Sequence, residues 1–163
     1  MTFINMKTCI TLFFISLLGA TTLVAQDGQP IRWTAFEALD DSLKRKKKPV
    51  LLYFHTDWCA YCRKMDKRVF TREEVAELLN ERYYAVRMDA ETSDTICFEG
   101  QAFVNHSANR KRAGIHELAQ IFSRETGFVA PTFVVLNEDF RVQAIRYEYL
   151  HSERLKEMLT WYR

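Results

Sequence analysis

Glycine and proline are scarce, at 5 and 3 of 163 residues. So few turn-formers exclude a loop-rich, disulfide-stapled mini-fold and favour regular helices and strands. No sign of charge dominates either: 23 Lys and Arg stand against 21 Asp and Glu, a formal +2. That balance gives no general reason to expect nucleic acid or an acidic membrane as partner. Internal repeats and low-complexity tracts are absent. What is abundant excludes disorder, since 48% of residues are hydrophobic and 13% aromatic, enough for a real core. The length suits one compact domain once a leader is set aside.

The N-terminus has the pattern of such a leader. Residues 1–7 carry one Lys, and the apolar stretch 10–24 is broken only by Thr11, Ser16, Gly19, Thr21 and Thr22 before the small Ala25 and the polar Gln26. A positive start, a short apolar core and a small-residue exit meet the requirements of a secretory signal peptide. The expectation is therefore a signal peptide over 1–25 and a single domain over 26–163. The rival is an uncleaved anchor, because the stretch approaches bilayer-spanning length; its threonines, its glycine and the exit at Ala25 favour cleavage. Cys9 opens the stretch and is poorly placed for lipidation. Export would put the protein in the periplasm if bacterial, otherwise in the secretory pathway or outside the cell. The chain then keeps Cys59, Cys62 and Cys97, where disulfides can persist. An odd count leaves one thiol unpaired or paired elsewhere.

Thr34-Ala35-Phe36-Glu37 reads as a capping box opening a helix that buries Phe36, Leu39 and Leu43. The helix ends in a basic run, 44–48, before Pro49; cations suit a helix C-terminus and proline stops it. Residues 50–54 are a continuous apolar, β-rich run, the mark of a strand buried on both faces. It leads into His55-Thr56-Asp57-Trp58-Cys59, and a helical pattern follows with Met65 and Val69 among charges. A second capping box, Thr71-Arg72-Glu73-Glu74, opens a helix carrying Val75, Leu78 and Leu79, and 83–88 reads as a strand. Over 90–114 the pattern weakens. Residues 96–98 and 102–104 flank Glu99-Gly100-Gln101 and could close a small hairpin. An amphipathic helix is expected over 115–126 with Gly127 as its C-cap. Strands over 132–136 and 142–147 follow, and Ser152 caps a closing helix. Strand, helix, strand, helix, helix, strand, insert, helix, strand, strand, helix predicts a three-layer α/β domain with a mixed central sheet.

Two cysteines separated by two residues, where a buried strand meets a helix, form a specific arrangement. The helix N-terminus offers unpaired amides and partial positive charge, both of which stabilise a thiolate. A lowered pKa makes Cys59 the nucleophile and the better leaving group. Cys62, one turn on, is the resolving partner.

The stretch 48–89, with Lys48-Pro49-Val50-Leu51-Leu52, Asp57-Trp58-Cys59-Ala60-Tyr61-Cys62-Arg63 and Asp89, resembles the thioredoxin superfamily, and within it exported domains similar to the C-terminal domain of the thiol:disulfide interchange protein DsbD. The likeness extends over nearly the whole chain after the leader, with the 90–114 insert outside it. It implies a thioredoxin-like α/β/α sandwich, the insert preceding the helix before a cis-proline strand. It places Ala130-Pro131-Thr132 at the cis-proline loop, with Pro131 against the cysteines and the Ala130 backbone open to a client. It also implies thiol–disulfide exchange with protein clients through Cys59 and Cys62, reducing or relaying electrons, recharged by a membrane or exported redox partner. No cofactor beyond the Cys59–Cys62 disulfide and no nucleic acid are implied.

The sequence departs from the family at Tyr53, where many reducing relatives carry a buried acid that helps deprotonate the resolving thiol. Tyrosine is a poor base near neutral pH, which leaves water, Asp57 or His55 for proton transfer. The Ala60-Tyr61 interior lacks the Gly-Pro of thioredoxin. A zinc site would need about four ligands, and His55, His106, His116 and His151 form no short-spaced pair; no metal is expected. Cys97, between Ile96 and Phe98, is expected to be a small buried residue. Phe98 and Phe103 are open to two readings, a client-binding lip or a satellite core. Asn105-His106-Ser107 matches a glycosylation sequon. Two functions stay open: an oxidoreductase, and a thioredoxin-fold binding module whose disulfide is static.

Overall fold

The computed structural model describes residues 29–108 and 114–162. The expected signal peptide lies outside them. In chain order a 3-10 turn (Phe36–Ala38) precedes α1 (Leu39–Arg45), β1 (Val50–His55), α2 (Ala60–Arg68), α3 (Glu73–Arg82), β2 (Tyr84–Asp89), β3 (Ile96–Phe98), β4 (Gln101–Phe103), α4 (Glu117–Gln120), β5 (Thr132–Leu136), β6 (Val142–Arg146) and α5 (Ser152–Trp161). The central sheet runs β2-β1-β5-β6. β1 pairs parallel to β2 and antiparallel to β5, and β5 pairs antiparallel to β6, so the sheet is mixed. The strand expected before the first helix is reduced to a single bridge between Trp33 and Ala85.

Alternation along β1 divides the core in two. Leu51 and Tyr53 join Met65, Leu79, Phe133, Leu155 and Leu159 on the α2–α3–α5 side. Val50, Leu52 and Phe54 join Phe36, Leu39, Val134, Leu118 and Phe98 on the other. Each side chain of residues 50–54 is essentially inaccessible, as a strand covered on both faces requires. This is the predicted three-layer α/β/α sandwich. Among the described residues no helix is long and apolar enough to cross a membrane.

Several local expectations are corrected. Neither capping box forms. Ala35 and Arg72 occupy the N-cap positions without side-chain bonds, and the Thr71 hydroxyl donates instead to the Lys67 carbonyl at 3.2 Å. His151, not Ser152, caps α5, its ring accepting from the Arg154 amide. The helix expected over 115–126 shrinks to four residues, α4. Beyond it the amides of Phe122 and Ser123 bond three residues back, to Ala119 and Gln120, and this tightening ends the helix. Phe122 still reaches the core, its ring 5.8 Å from that of Phe54. Gly127 caps no helix; with φ +113 it makes a bridge with Arg124.

The expected hairpin forms as β3–β4, but its second strand starts one residue early, with Gln101 opposite Phe98 and Cys97 opposite Ala102, and the turn is Glu99 and Gly100 alone, both at positive φ. Cys97 is exposed, against expectation. Strand alternation explains this: Ile96 and Phe98 point into the core and the residue between them points out. Phe98 belongs to that core, its ring 5.3 Å from Phe36 and 5.0 Å from Phe140, which settles it as core rather than lip.

Two buried polar side chains close the base of the 90–114 segment. Asn105 donates to the carbonyls of Gly114 (2.7 Å), Thr92 (3.1 Å) and Glu91 (3.3 Å) and accepts from the Ser107 amide at 3.1 Å. His116 caps α4 and binds the Asp94 carbonyl at 3.2 Å. The sequon asparagine is therefore committed to the backbone. Replacing Asn105 with Ala strands three carbonyls and an amide, a loss of about 2–3 kcal/mol. A fall in the urea midpoint at unchanged slope reads this out, and a change below about 0.5 kcal/mol would contradict it.

Candidate active site

β1 ends at His55, and a turn through Asp57 and Trp58 delivers Cys59 to the N-cap of α2, its amide donating to the Thr56 carbonyl at 3.2 Å. The Cys59 backbone is extended (φ −70°, ψ 105°), and its Sγ accepts from the Cys62 amide at 3.0 Å. Sulfur thus takes the place of the usual oxygen cap. Cys59 and Cys62 are joined as a disulfide with Cα atoms 5.2 Å apart. They are 4% and 2% exposed, while flanking Trp58 and Tyr61 are 67% and 60% exposed. An open aromatic rim therefore surrounds a recessed pair. A cavity of about 1090 Å³ elsewhere lies along α5, lined by Leu150, Met158 and Trp161, and contains neither cysteine.

The structure draws the other predicted residues to this rim unevenly. The Trp58 indole donates to Glu91 Oε1 at 2.9 Å, so the segment closed by Asn105 also fixes Trp58. Asp57 is engaged through its main-chain carbonyl, which accepts from Arg63 Nη1 at 2.7 Å. The Ala130–Pro131 bond is cis, and Ala130 packs on the core cluster that contains both cysteines. Tyr61 lies against Tyr149, with ring centroids 6.0 Å apart.

Tyr53 lies behind the pair, wholly buried. Its ring stacks on Phe133 at 5.1 Å and meets Phe70 edge-on at 4.9 Å, and its hydroxyl donates to the Cys62 carbonyl at 3.4 Å. Burial, reinforced by the Asp66 charge, pushes the phenol far above its ordinary value, so Tyr53 is a fixed donor and no base. The carboxylate on this side is Asp66, one turn beyond Cys62. Its Oδ2 accepts from Arg87 at 3.0 Å, while Oδ1 is buried without a hydrogen-bond partner among the described residues. Asp66, Arg87, Trp33 and Phe70 line a cavity of about 260 Å³. Sequence reasoning overlooked Asp66, although the i, i+4 spacing from Cys62 puts the two on one helix face. Among the described residues no group of three or more His, Cys, Asp or Glu is placed to hold a metal.

The strand–turn–helix carrying a cysteine pair, backed by a mixed sheet with a cis Ala130–Pro131 bond leading into β5, defines a thioredoxin-like fold. A family model described as thioredoxin-like matches residues 32–109. Rice (Oryza sativa subsp. japonica) thioredoxin Y, a chloroplastic protein, is 34% identical over 78 residues, 48% of this chain and 42% of its own length. The chain thus spans less than half of that curated relative. Among solved structures, the DsbH oxidoreductase superposes with TM-score 0.58 at 18% identity, covering 83% of this chain and 85% of DsbH. The oxidised DsbD C-terminal domain of Neisseria meningitidis gives 0.53 at 23% identity, over 77% of this chain and 90% of that domain. At such identities they attest the fold. The fold is thioredoxin-like, and residues 32–109 are those that the thioredoxin-like family model matches.

His55, at the end of β1, is a pH-sensitive element of this frame. Burial, followed by the Arg87 charge, lowers its pKa. The unfolded chain, with histidine near 6.5, then binds a proton that the folded chain refuses, so stability falls as pH drops below about 6.5 toward the lower folded value. Substituting Phe for His55 should flatten that acid limb in urea titrations taken across pH; an unchanged slope would remove His55 as its source.

Proposed function

We propose that the protein is an exported thiol–disulfide oxidoreductase that reduces, or relays electrons to, disulfides of protein clients through Cys59 and Cys62. The placement of Cys59 Sγ at the N-cap of a nine-residue helix, accepting the Cys62 amide, carries the reading. Amide donors and the helix dipole favour negative sulfur there. DsbH is named as an oxidoreductase, and export rests on the leader-like residues 1–25 and the Ala25 exit.

In the reduced protein the Cys59 thiolate attacks one sulfur of a client disulfide, forming a mixed disulfide and expelling the client's other sulfur as thiolate. Cys62 then gives up its proton and attacks Cys59 Sγ. The Cys59–Cys62 bond forms, the mixed disulfide breaks, and the second client sulfur leaves. Two electrons pass to the client and the pair ends oxidised, with no cofactor needed. Trp58 and Pro131 frame the attack, the Ala130 backbone is the edge offered to the client chain, and Tyr53 holds the Cys62 carbonyl. Tyr53, a fixed donor with its phenol pushed far up, does not suit the proton from Cys62. Asp66, one turn beyond Cys62 on the same helix and with Oδ1 buried and unpartnered among the described residues, is the acceptor in this scheme. A membrane or exported reductase returns the electrons.

Insulin reduction tests the reading. The wild type should turn over with dithiol as electron source, and Cys59→Ser should abolish turnover. Activity unchanged in Cys59→Ser, or absent from the wild type under both reducing and oxidising conditions, would leave a binding module with a static disulfide. A reductase also requires a potential well below the roughly −120 mV of a strong oxidant such as DsbA.

A further inference from the structure

We infer that the basic face of α2 docks acidic polypeptide, so that the preferred clients carry Asp and Glu beside the reacting cysteine. The inference rests on the oxidoreductase reading above and names its substrate class. Arg63, Lys64, Lys67 and Arg68 are all exposed on α2, and its single acid, Asp66, is bound by Arg87. Some cations elsewhere are matched, Lys44 to Asp40, Lys47 to Asp139, and Lys156 to Glu74 and Glu153. On α2 they meet no carboxylate among the described residues. Arg63 donates to a neutral carbonyl, and Lys64 Nζ lies 4.6 Å from the centroid of the Tyr149 ring.

A solvated helix face explains only part of this. Lys67 and Arg68 stand in the last turn of α2, where the dipole favours cations. Arg63 ends the first turn, where the dipole disfavours a cation and no acid stands, and Lys64 lies at mid-helix, where the dipole gives it no support. Helical spacing places Tyr61, Lys64 and Arg68 in one stripe that begins beside the cysteines. Its aromatic end, Tyr61 on Tyr149, supplies apolar contact, and its cations supply complementarity to negative charge. Across the pair the rim reverses sign, with Glu91 bound to Trp58 and Asp57 adjacent. Acidic client residues therefore belong on the α2 side.

The test compares three disulfide peptides of equal length whose cysteines are flanked by Asp and Glu, by Ser, or by Lys, each reacted with the reduced protein. The acidic peptide should react ~10-fold or more faster than the basic one at about 0.01 M salt. The advantage should shrink to ~2-fold or less at about 1 M, as the Debye length falls from roughly 30 to 3 Å. A K64E/K67E/R68E variant should invert the order while its rate with hydroxyethyl disulfide, small and uncharged, stays at the wild-type value. Equal peptide rates in the wild type, or an equal loss in the variant on every substrate including the neutral one, would overturn the docking proposal. Absence of reaction even with hydroxyethyl disulfide would defeat the oxidoreductase reading instead. Anisotropy of the same labelled peptides then decides docking: tighter binding of the acidic peptide upholds it and equal binding overturns it.

Discussion

The Cys62 amide donates to Cys59 Sγ at 3.0 Å, and much of the fold serves to hold that contact. It requires Cys59 at an N-cap, hence a strand that ends and a helix that begins in fixed relation. β1 provides the first by lying between β2 and β5 with both faces covered. α2 provides the second by burying Cys62 and Met65 against the same sheet. A free helix end exposes amides to water; here one of them is aimed at sulfur, and water competes little at a residue 4% exposed. A thiolate formed there is stabilised by groups already in place.

An aromatic behind the pair changes how that site works. A buried acid at position 53 would both fill space and accept a proton; Tyr53 fills the space more fully, packed on Trp33, Phe70 and Phe133, and accepts nothing. A carboxylate stands instead on the helix, where Asp66 is held by Arg87 from β2. The guanidinium also sits 5.9 Å from the centroid of the Tyr53 ring, so strand, helix and phenol form one unit. The 90–114 segment is linked to the opposite rim: Asn105 holds the Glu91 backbone and the Glu91 side chain holds Trp58.

What was readable in the sequence follows from which interactions are local. The run over 50–54 and the apolar 132–136 announced buried strands because every side chain there meets a protein layer. The cysteine spacing announced the helix start because it is itself the cap. Thr34 and Thr71 misled because a capping motif only permits a bond, and Thr71 found a carbonyl in the preceding helix instead. The apolar positions 115, 118, 119 and 122 fit a long helix, yet one turn and a tightened exit bury Phe122 equally well. Apolar neighbours suggested a buried Cys97, whereas the two-residue period of its strand sends it outward. Asp66 was hidden among charges of a surface pattern, since only tertiary packing against Arg87 and Tyr53 distinguishes it from Lys67.

The central claim is that the helix end makes Cys59 the thiolate of the pair. Thiolate absorbance of the reduced protein, followed across pH and assigned with single Cys59→Ser and Cys62→Ser variants, measures this directly. The account predicts that Cys59 ionises well below the value of about 8.5 for free cysteine and that buried Cys62 ionises above it. Ionisation of Cys59 at or above that reference, or of Cys62 first, would contradict it.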